Sequence, residues 1–278
     1  MNDIVSAPQF RLRPPQTDVL GLSPSDDEIF SYFCRKYRQP DGFDESPAVR
    51  LRHGFLAASD YYELLVSKLV TAETRWLDVG CGRAIFPSNY REAKALAERC
   101  EYLVGIDPDP NVHENDLLTE RFQGSIEEYA SERKFNLVTM RMVAEHITNA
   151  DETVRKLAEL VDPFGLVVIF TPWKWAPMSI VASIIPYKLH NPLKRLIWDS
   201  EARDTFPTAY RMNTRRTLLS LFGSHAFKEV FFCRVDDCSV LTRFPRLNAL
   251  EIGTRNTLLS LGIPYPEHCL LAVYQKTT

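Results

Sequence analysis

The feature that most constrains this chain is a series of short apolar runs separated by helix-like stretches between residues 76 and 170. Trp76-Leu77-Asp78-Val79 is the first run, and it ends on Gly80-Cys81-Gly82. Tyr102 to Ile106 is the second and ends on Asp107; Phe135 to Met140 and the more apolar Leu166 to Phe170 follow. Between them Asn89 is placed to cap a helix with Glu92 in its first turn. Residues 153–160 carry Val154, Leu157 and Ala158 at helical spacing. Strands that alternate with helices call for a parallel sheet covered on both faces. Asp162-Pro163-Phe164-Gly165 is expected to turn the chain into the last of these strands.

A strand that ends in glycines at the edge of such a sheet makes a ligand crevice. Gly80 and Gly82 let the backbone approach a ligand closely, because no Cβ intervenes. Asp107, at the end of the next strand, is placed to accept hydrogen bonds from a ribose diol. A dinucleotide site would run G-x-G-x-x-G straight into a helix whose N-terminus holds a pyrophosphate. Here the pattern is G-x-G-x-A, closed by Ala84, with a loop through Pro87 before the helix. Asp78 also stands two residues before the first glycine, where an acid repels a pyrophosphate. It suits a ligand that carries an amino group and a sulfonium. These residues count against a nucleotide-dependent oxidoreductase.

The run Trp76 to Gly82, with Gly105-Ile106-Asp107, resembles the class I S-adenosylmethionine-dependent methyltransferases. The resemblance continues through Phe135 to Ile147 and Leu160 to Pro172 and covers about residues 70–175. It implies a Rossmann-like, doubly wound α/β fold. That sheet would have seven strands, mostly parallel with one antiparallel. It implies S-adenosyl-L-methionine as cofactor and S-adenosyl-L-homocysteine as product. By motif, Asp78, Gly80, Cys81 and Gly82 would line the methionine end and Asp107 would hold the ribose hydroxyls. Pro108 or Asp109 would lie beside adenine, Ser125 and Ile126 would pack on it, and Met142 and Val143 would sit near the sulfonium. Ser125 departs from the family's frequent aspartate.

Methyl transfer from a sulfonium is an in-line displacement, so the protein must mainly orient two reactants and exclude water. A hydroxyl acceptor gains from a general base. His146 is the first candidate and Glu145 the second; the family's Glu-His pair at this point also serves structure. Some relatives bind a divalent ion through E-x-x-E-H here, but Met142 occupies the first position, a thioether suited to soft metals. No metal is expected. Residues 173–213 are expected to form a substrate-side lid, with Trp173, Tyr210 and Arg211 as candidate acceptor contacts. Tyr187, Trp198 and Phe206 add aromatic surface, and His190 is a further acid/base candidate. The expected acceptor is a small molecule, a hydroxyl of a natural product, lipid or glycan-type metabolite. Transfer to nitrogen or to a protein, or cofactor binding without catalysis, are the alternatives.

The remaining expectations are coarser. Residues 1–24 read as a flexible arm, 25–70 as a helical cap, 71–172 as the cofactor core, and 214–278 as helices and strands completing the sheet. Ser25 with Glu28 marks the first helix start. The net charge of −3 lacks the basic footprint of a nucleic-acid binder. The six cysteines form no C-x-x-C pair, which fits reduced thiols in a cytoplasm. No run is long enough to span a bilayer. Ile180 to Ile185 leaves peripheral membrane contact open, and a monomer or homodimer is expected.

Overall fold

The computed structural model describes residues 8–40, 42–176, 208–236, 238, 244–263, 265 and 267–278. Ten strands among the described residues are β1 Thr17–Asp18, β2 Arg38–Gln39, β3 Gly42–Phe43, β4 Arg75–Val79, β5 Tyr102–Asp107, β6 Glu120–Gln123, β7 Phe135–Arg141, β8 Val161–Pro172, β9 Phe227–Val235 and β10 Cys269–Lys276. Seven helices among the described residues are α1 Asp26–Tyr37, α2 Glu45–Arg52, α3 Ala58–Leu69, α4 Tyr90–Arg99, α5 Ala150–Leu160, α6 Arg215–Ser224 and α7 Pro245–Ser260.

Eight strands form one sheet in the order β1-β9-β10-β8-β7-β4-β5-β6. The inner strands β5, β4, β7 and β8 pair in parallel, as their unbroken apolar runs require. Core clusters cover both faces: Trp76, Leu103 and Leu137 point to one side, and Leu77, Val104 and Val138 to the other. The far edge, β6, is polar and mostly exposed, which discourages edge pairing. β10 runs antiparallel to both β8 and β9.

The sheet has eight strands rather than seven. The extra one is β1, which pairs antiparallel with Phe231 and Phe232 of β9. Thr17 Oγ1 donates to Glu229 at 2.6 Å and accepts from Arg215 at 2.8 Å. Residues 8–24 therefore differ from the loose arm expected of them. Phe10 and Leu22 are buried, and Arg11 N donates to Gly54 O. This docking runs through backbone pairing and isolated apolar anchors, which leave no periodic trace. The expected turn at residues 162–165 is likewise a bulge inside one long strand: Phe135 pairs with Val161, but Leu137 pairs with Leu166. Phe164 takes φ 64° there and is exposed.

The first helices sit against the core through a buried ion cluster. Ser25 and Glu28 form the capping box read from the sequence, and Ile29, Tyr32 and Phe33 are buried. Lys36 Nζ lies 2.8 Å from Asp60 and 2.9 Å from Glu63, and Arg50 lies 3.1 Å from Asp60. Tyr37 donates to Asp60 at 2.8 Å, Tyr32 donates to Glu63, and Asn89 Nδ2 donates to Glu63 at 2.8 Å. Buried charges survive only when partnered this fully. Asn89 also caps α4, its side chain accepting from Glu92 N. The cluster thereby ties α1 and α3 to the loop between β4 and α4.

Candidate active site

The carboxyl ends of β4, β5 and β7 meet at a cavity of about 350 Å³. Asp78, Gly80, Cys81, Gly82, Asp107 and Arg141 line it, with Arg83 to Ile85, Pro87, Asp109 and Asn111 around its mouth. The glycines are held in shape by β5: Gly80 N donates to Ile106 O at 2.7 Å. Gly80 has φ 71°, and a Cβ on it would lie 2.0 Å from Val143 Cγ2. Gly82 has φ 49° and a Cβ there would meet nothing within 4 Å. The first glycine is thus demanded by close packing, and the second by its left-handed conformation beside open space.

Asp107 is oriented by backbone on both sides. Its Oδ2 accepts from Gly82 N at 2.8 Å and its Oδ1 from Asp109 N at 2.8 Å. A carboxylate has about four acceptor sites, so both oxygens can still accept from a diol. Burial raises its pKa. Asp78 lies deeper, where its Oδ1 accepts from Thr139 Oγ1 at 2.6 Å; that hydroxyl in turn accepts from Trp76 Nε1 at 2.7 Å. Burial pushes the Asp78 pKa up to about 7, against the lowering hydrogen bond from Thr139 and the charge of Arg141. The Arg141 Nε is buried and donates no hydrogen bond to any described residue. A deep acid and an underused guanidinium thus share one cavity. Burial also raises the Cys81 thiol, with Asp78 and Asp107 adding to the effect, so it stays protonated. Phe86 is fully buried and meets the Tyr62 ring edge-on at 6.0 Å, which anchors the loop that closes the cavity.

A second constellation follows β7. Met142 takes φ 54°, and its N donates to Phe170 O at 2.7 Å. Val143 packs over Gly80. The buried Glu145 accepts from Thr171 Oγ1 at 2.7 Å, and Thr171 Oγ1 accepts from Asn213 Nδ2 at 2.7 Å. The Glu145 carbonyl accepts from Ala209 N at 2.6 Å and Tyr210 N at 3.1 Å. Burial raises the Glu145 pKa, opposed by Thr171. Glu145 therefore clamps residues 209–213 to the end of β8. His146 is half-buried, with its Nε2 3.9 Å from Glu145 Oε1.

Of the residues picked from the sequence, Asp78, Gly80, Cys81, Gly82 and Asp107 share the cavity wall, and Asp109 joins them. Pro108, Ser125, Ile126, Met142, Val143, Glu145 and His146 lie outside that lining. Ile126 is buried in the core, Ser125 is half-buried with its N donating to Glu128, and Pro108 is exposed. Trp173 lies under Arg234, whose guanidinium carbon is 4.6 Å from the ring centroid; Arg211 is exposed. Ile180 to Ile185, Tyr187, His190, Trp198 and Phe206 fall outside the described residues. Sequence reasoning missed Arg141, although a lone charge closing the apolar run Phe135 to Met140 was a signal for it. Among the described residues, no group of His, Cys, Asp or Glu is arranged to hold a metal ion.

A family profile described as a methyltransferase domain matches residues 37–231, well over half of the chain. The chain belongs to that methyltransferase family. A ubiquinone biosynthesis O-methyltransferase of Azorhizobium caulinodans is 28% identical over 106 residues, 35% of this chain and 40% of its own length. The chain thus matches well under two thirds of that relative. The S-adenosylmethionine-dependent methyltransferase of Mesorhizobium loti is 16% identical over 79% of this chain and 98% of its own, with a TM-score of 0.51. The N-methyltransferase NodS of Bradyrhizobium japonicum, in complex with S-adenosyl-l-homocysteine, is 15% identical, covering 91% of this chain and 100% of its own, at a TM-score of 0.45. The chain thus carries a methyltransferase domain on a Rossmann-like α/β fold. No helix among the described residues is long and apolar enough to cross a membrane.

Proposed function

We propose that this methyltransferase alkylates a hydroxyl of a small-molecule acceptor, a natural product, lipid or glycan-type metabolite. The observation that carries the proposal is the position of His146, half-buried on the loop that follows β7 and carries Val143 onto Gly80. The cofactor brings a methyl group already activated by a sulfonium leaving group. Asp107 holds the ribose hydroxyls in this account. Asp78 and Arg141 face the amino and carboxylate groups of the methionine end, which matches their opposite charges. Met142 and Val143 sit near the sulfonium, and Pro108, Asp109, Ser125 and Ile126 flank the adenine.

His146 takes the hydroxyl proton at an imidazole nitrogen as the acceptor oxygen attacks, general-base help of about 10²–10⁴-fold. The Glu145 carboxylate accepts from Thr171 while its main-chain carbonyl holds the backbone of residues 209–210, so we assign it to positioning the loop instead of moving protons. Trp173, Tyr210 and Arg211 belong to the segment that this clamp brings back to the sheet, and we assign them to the acceptor side. The partial match to an O-methyltransferase supports oxygen as the target.

The test uses methyl-13C-labelled cofactor and a panel of hydroxylated and amine metabolites, with products read by NMR. An O-methyl signal, strongly reduced in His146→Ala while cofactor affinity holds, is expected. Labelling at nitrogen alone, or an unchanged rate in His146→Ala, overturns the proposal.

A further inference from the structure

Away from the cofactor cavity, the N-terminal segment crosses the end of α2 and the flank of α7. Arg11 N donates to Gly54 O at 2.8 Å, and Arg11 O accepts from Arg255 Nη1 at 2.9 Å. Asn256 Nδ2 donates to His53 O at 2.8 Å. Arg255 is itself buried and paired with Asp236, so this wall is fixed from behind. Gly54 has φ 59°, and a Cβ on it would lie 2.2 Å from Gln9 O. Only glycine lets the two segments cross this closely.

Between these three elements lies a cavity of about 360 Å³. Arg11, Arg52, His53, Thr257 and Ser260 stand on its wall, and its lining contains no Asp or Glu. The Arg11, Arg52 and His53 side chains form no ion pair or hydrogen bond with any described residue. The more buried arginines behave differently: Arg50 and Arg255, for example, each have a carboxylate partner. The chain as a whole is acidic, at −3, so this cluster does not reflect a general excess of positive charge. Like charges gathered without a counter-ion repel each other, and an anion that bridges them removes that cost. Two guanidinium groups with hydroxyl neighbours match the oxygens of a phosphate better than a single carboxylate. A second cavity of about 500 Å³ shares Gln9, Arg11, Asn256 and Ser260 with it and is also walled by Leu12, Pro14, Leu259 and Ile263.

We propose that this crevice between the N-terminal segment, α2 and α7 binds a phosphate monoester, its phosphoryl group held by Arg11, Arg52 and His53 and its apolar remainder lying along Leu12, Leu259 and Ile263. The shared chemistry admits a soluble phosphoester or a phosphomonoester lipid headgroup. The site does not depend on the acceptor assigned above.

The full-length protein is titrated calorimetrically with inorganic phosphate and with phenyl phosphate at low ionic strength, chloride serving as the control anion. Saturable binding is expected, tighter for phenyl phosphate and absent for chloride. The double variant Arg11→Gln/Arg52→Gln is expected to lose at least tenfold in affinity for both probes. Both arginines are exposed, so its melting temperature should hold, and S-adenosylhomocysteine binding by the same variant checks its fold. The His53 ring signals in NMR should shift with phosphate in the parent protein only. Co-sedimentation with phosphatidylcholine vesicles containing phosphatidate, lost in the double variant, identifies the lipid source. Phosphate binding without such sedimentation identifies the soluble one. Absent phosphate binding, or equal affinity in the parent and the double variant, overturns the proposal.

Discussion

Asp78 offers the sharpest test of the cofactor site. It is buried at the end of β4, with its pKa pushed up to about 7, and it faces the cationic end of the bound cofactor in our account. If the ionised carboxylate is the binding form, affinity follows the ionised fraction. At pH 5 that fraction is about 1 in 100, and at pH 7 about one half, so affinity should rise about fiftyfold across this interval. An α-amino group stays largely protonated throughout it, with a pKa of about 8. The sign is opposite for stability without cofactor. An acid with a raised folded pKa is held protonated by the fold while the unfolded chain releases its proton. Stability is therefore full below about pH 4 and declines towards pH 7, by about 4 kcal/mol for a carboxyl moved from 3.8 to about 7. Calorimetry with S-adenosylhomocysteine at pH 5, 6 and 7 measures the first effect, and urea unfolding at the same values measures the second. Asp78→Asn should bind weakly at every pH and lose most of the stability slope. A parent affinity that changes less than about threefold, or an Asp78→Asn variant that keeps the full dependence, would refute the assignment.

Other perturbations separate the parts of the molecule. Asp107→Ala removes the acceptor for both ribose hydroxyls and should weaken S-adenosylhomocysteine binding at least tenfold by calorimetry; unchanged affinity would remove Asp107 from the site. Gly80→Ala drives a methyl into Val143 and forces a left-handed alanine, and should cost about 3 kcal/mol in urea unfolding. Lys36→Met leaves the carboxylates of Asp60 and Glu63 short of a cation in a buried setting and should cost about 3–5 kcal/mol. A loss under about 1 kcal/mol there would mean that Arg50 and Asn89 suffice.

What could be read from the sequence follows the range of each interaction. Gly80, Gly82 and Asp107 were legible because a glycine turn and an acid at a strand end are local necessities of close backbone approach. The parallel inner strands were legible because burial on both faces leaves continuous apolar runs such as Leu166 to Phe170. The buried cluster of Lys36, Arg50, Asp60 and Glu63 was not. Each of its members looks like part of a solvated helix face until three helices and Asn89 converge. Glu145 is a candidate base beside His146 by sequence, yet its partner Thr171, itself held by Asn213, lies far along the chain, and only the fold shows that its carboxylate is engaged. β1 left no trace because two residues carry no period, and their pairing with Phe231 and Phe232 is made by backbone.

The most direct measurement of the central claim is a crystal structure of the protein with S-adenosylhomocysteine. The ribose hydroxyls should fall within hydrogen-bond distance of Asp107. The amino group should lie beside Asp78 and the carboxylate within reach of the Arg141 guanidinium. Cofactor bound elsewhere, or in this cavity with its ribose away from Asp107, would contradict the account.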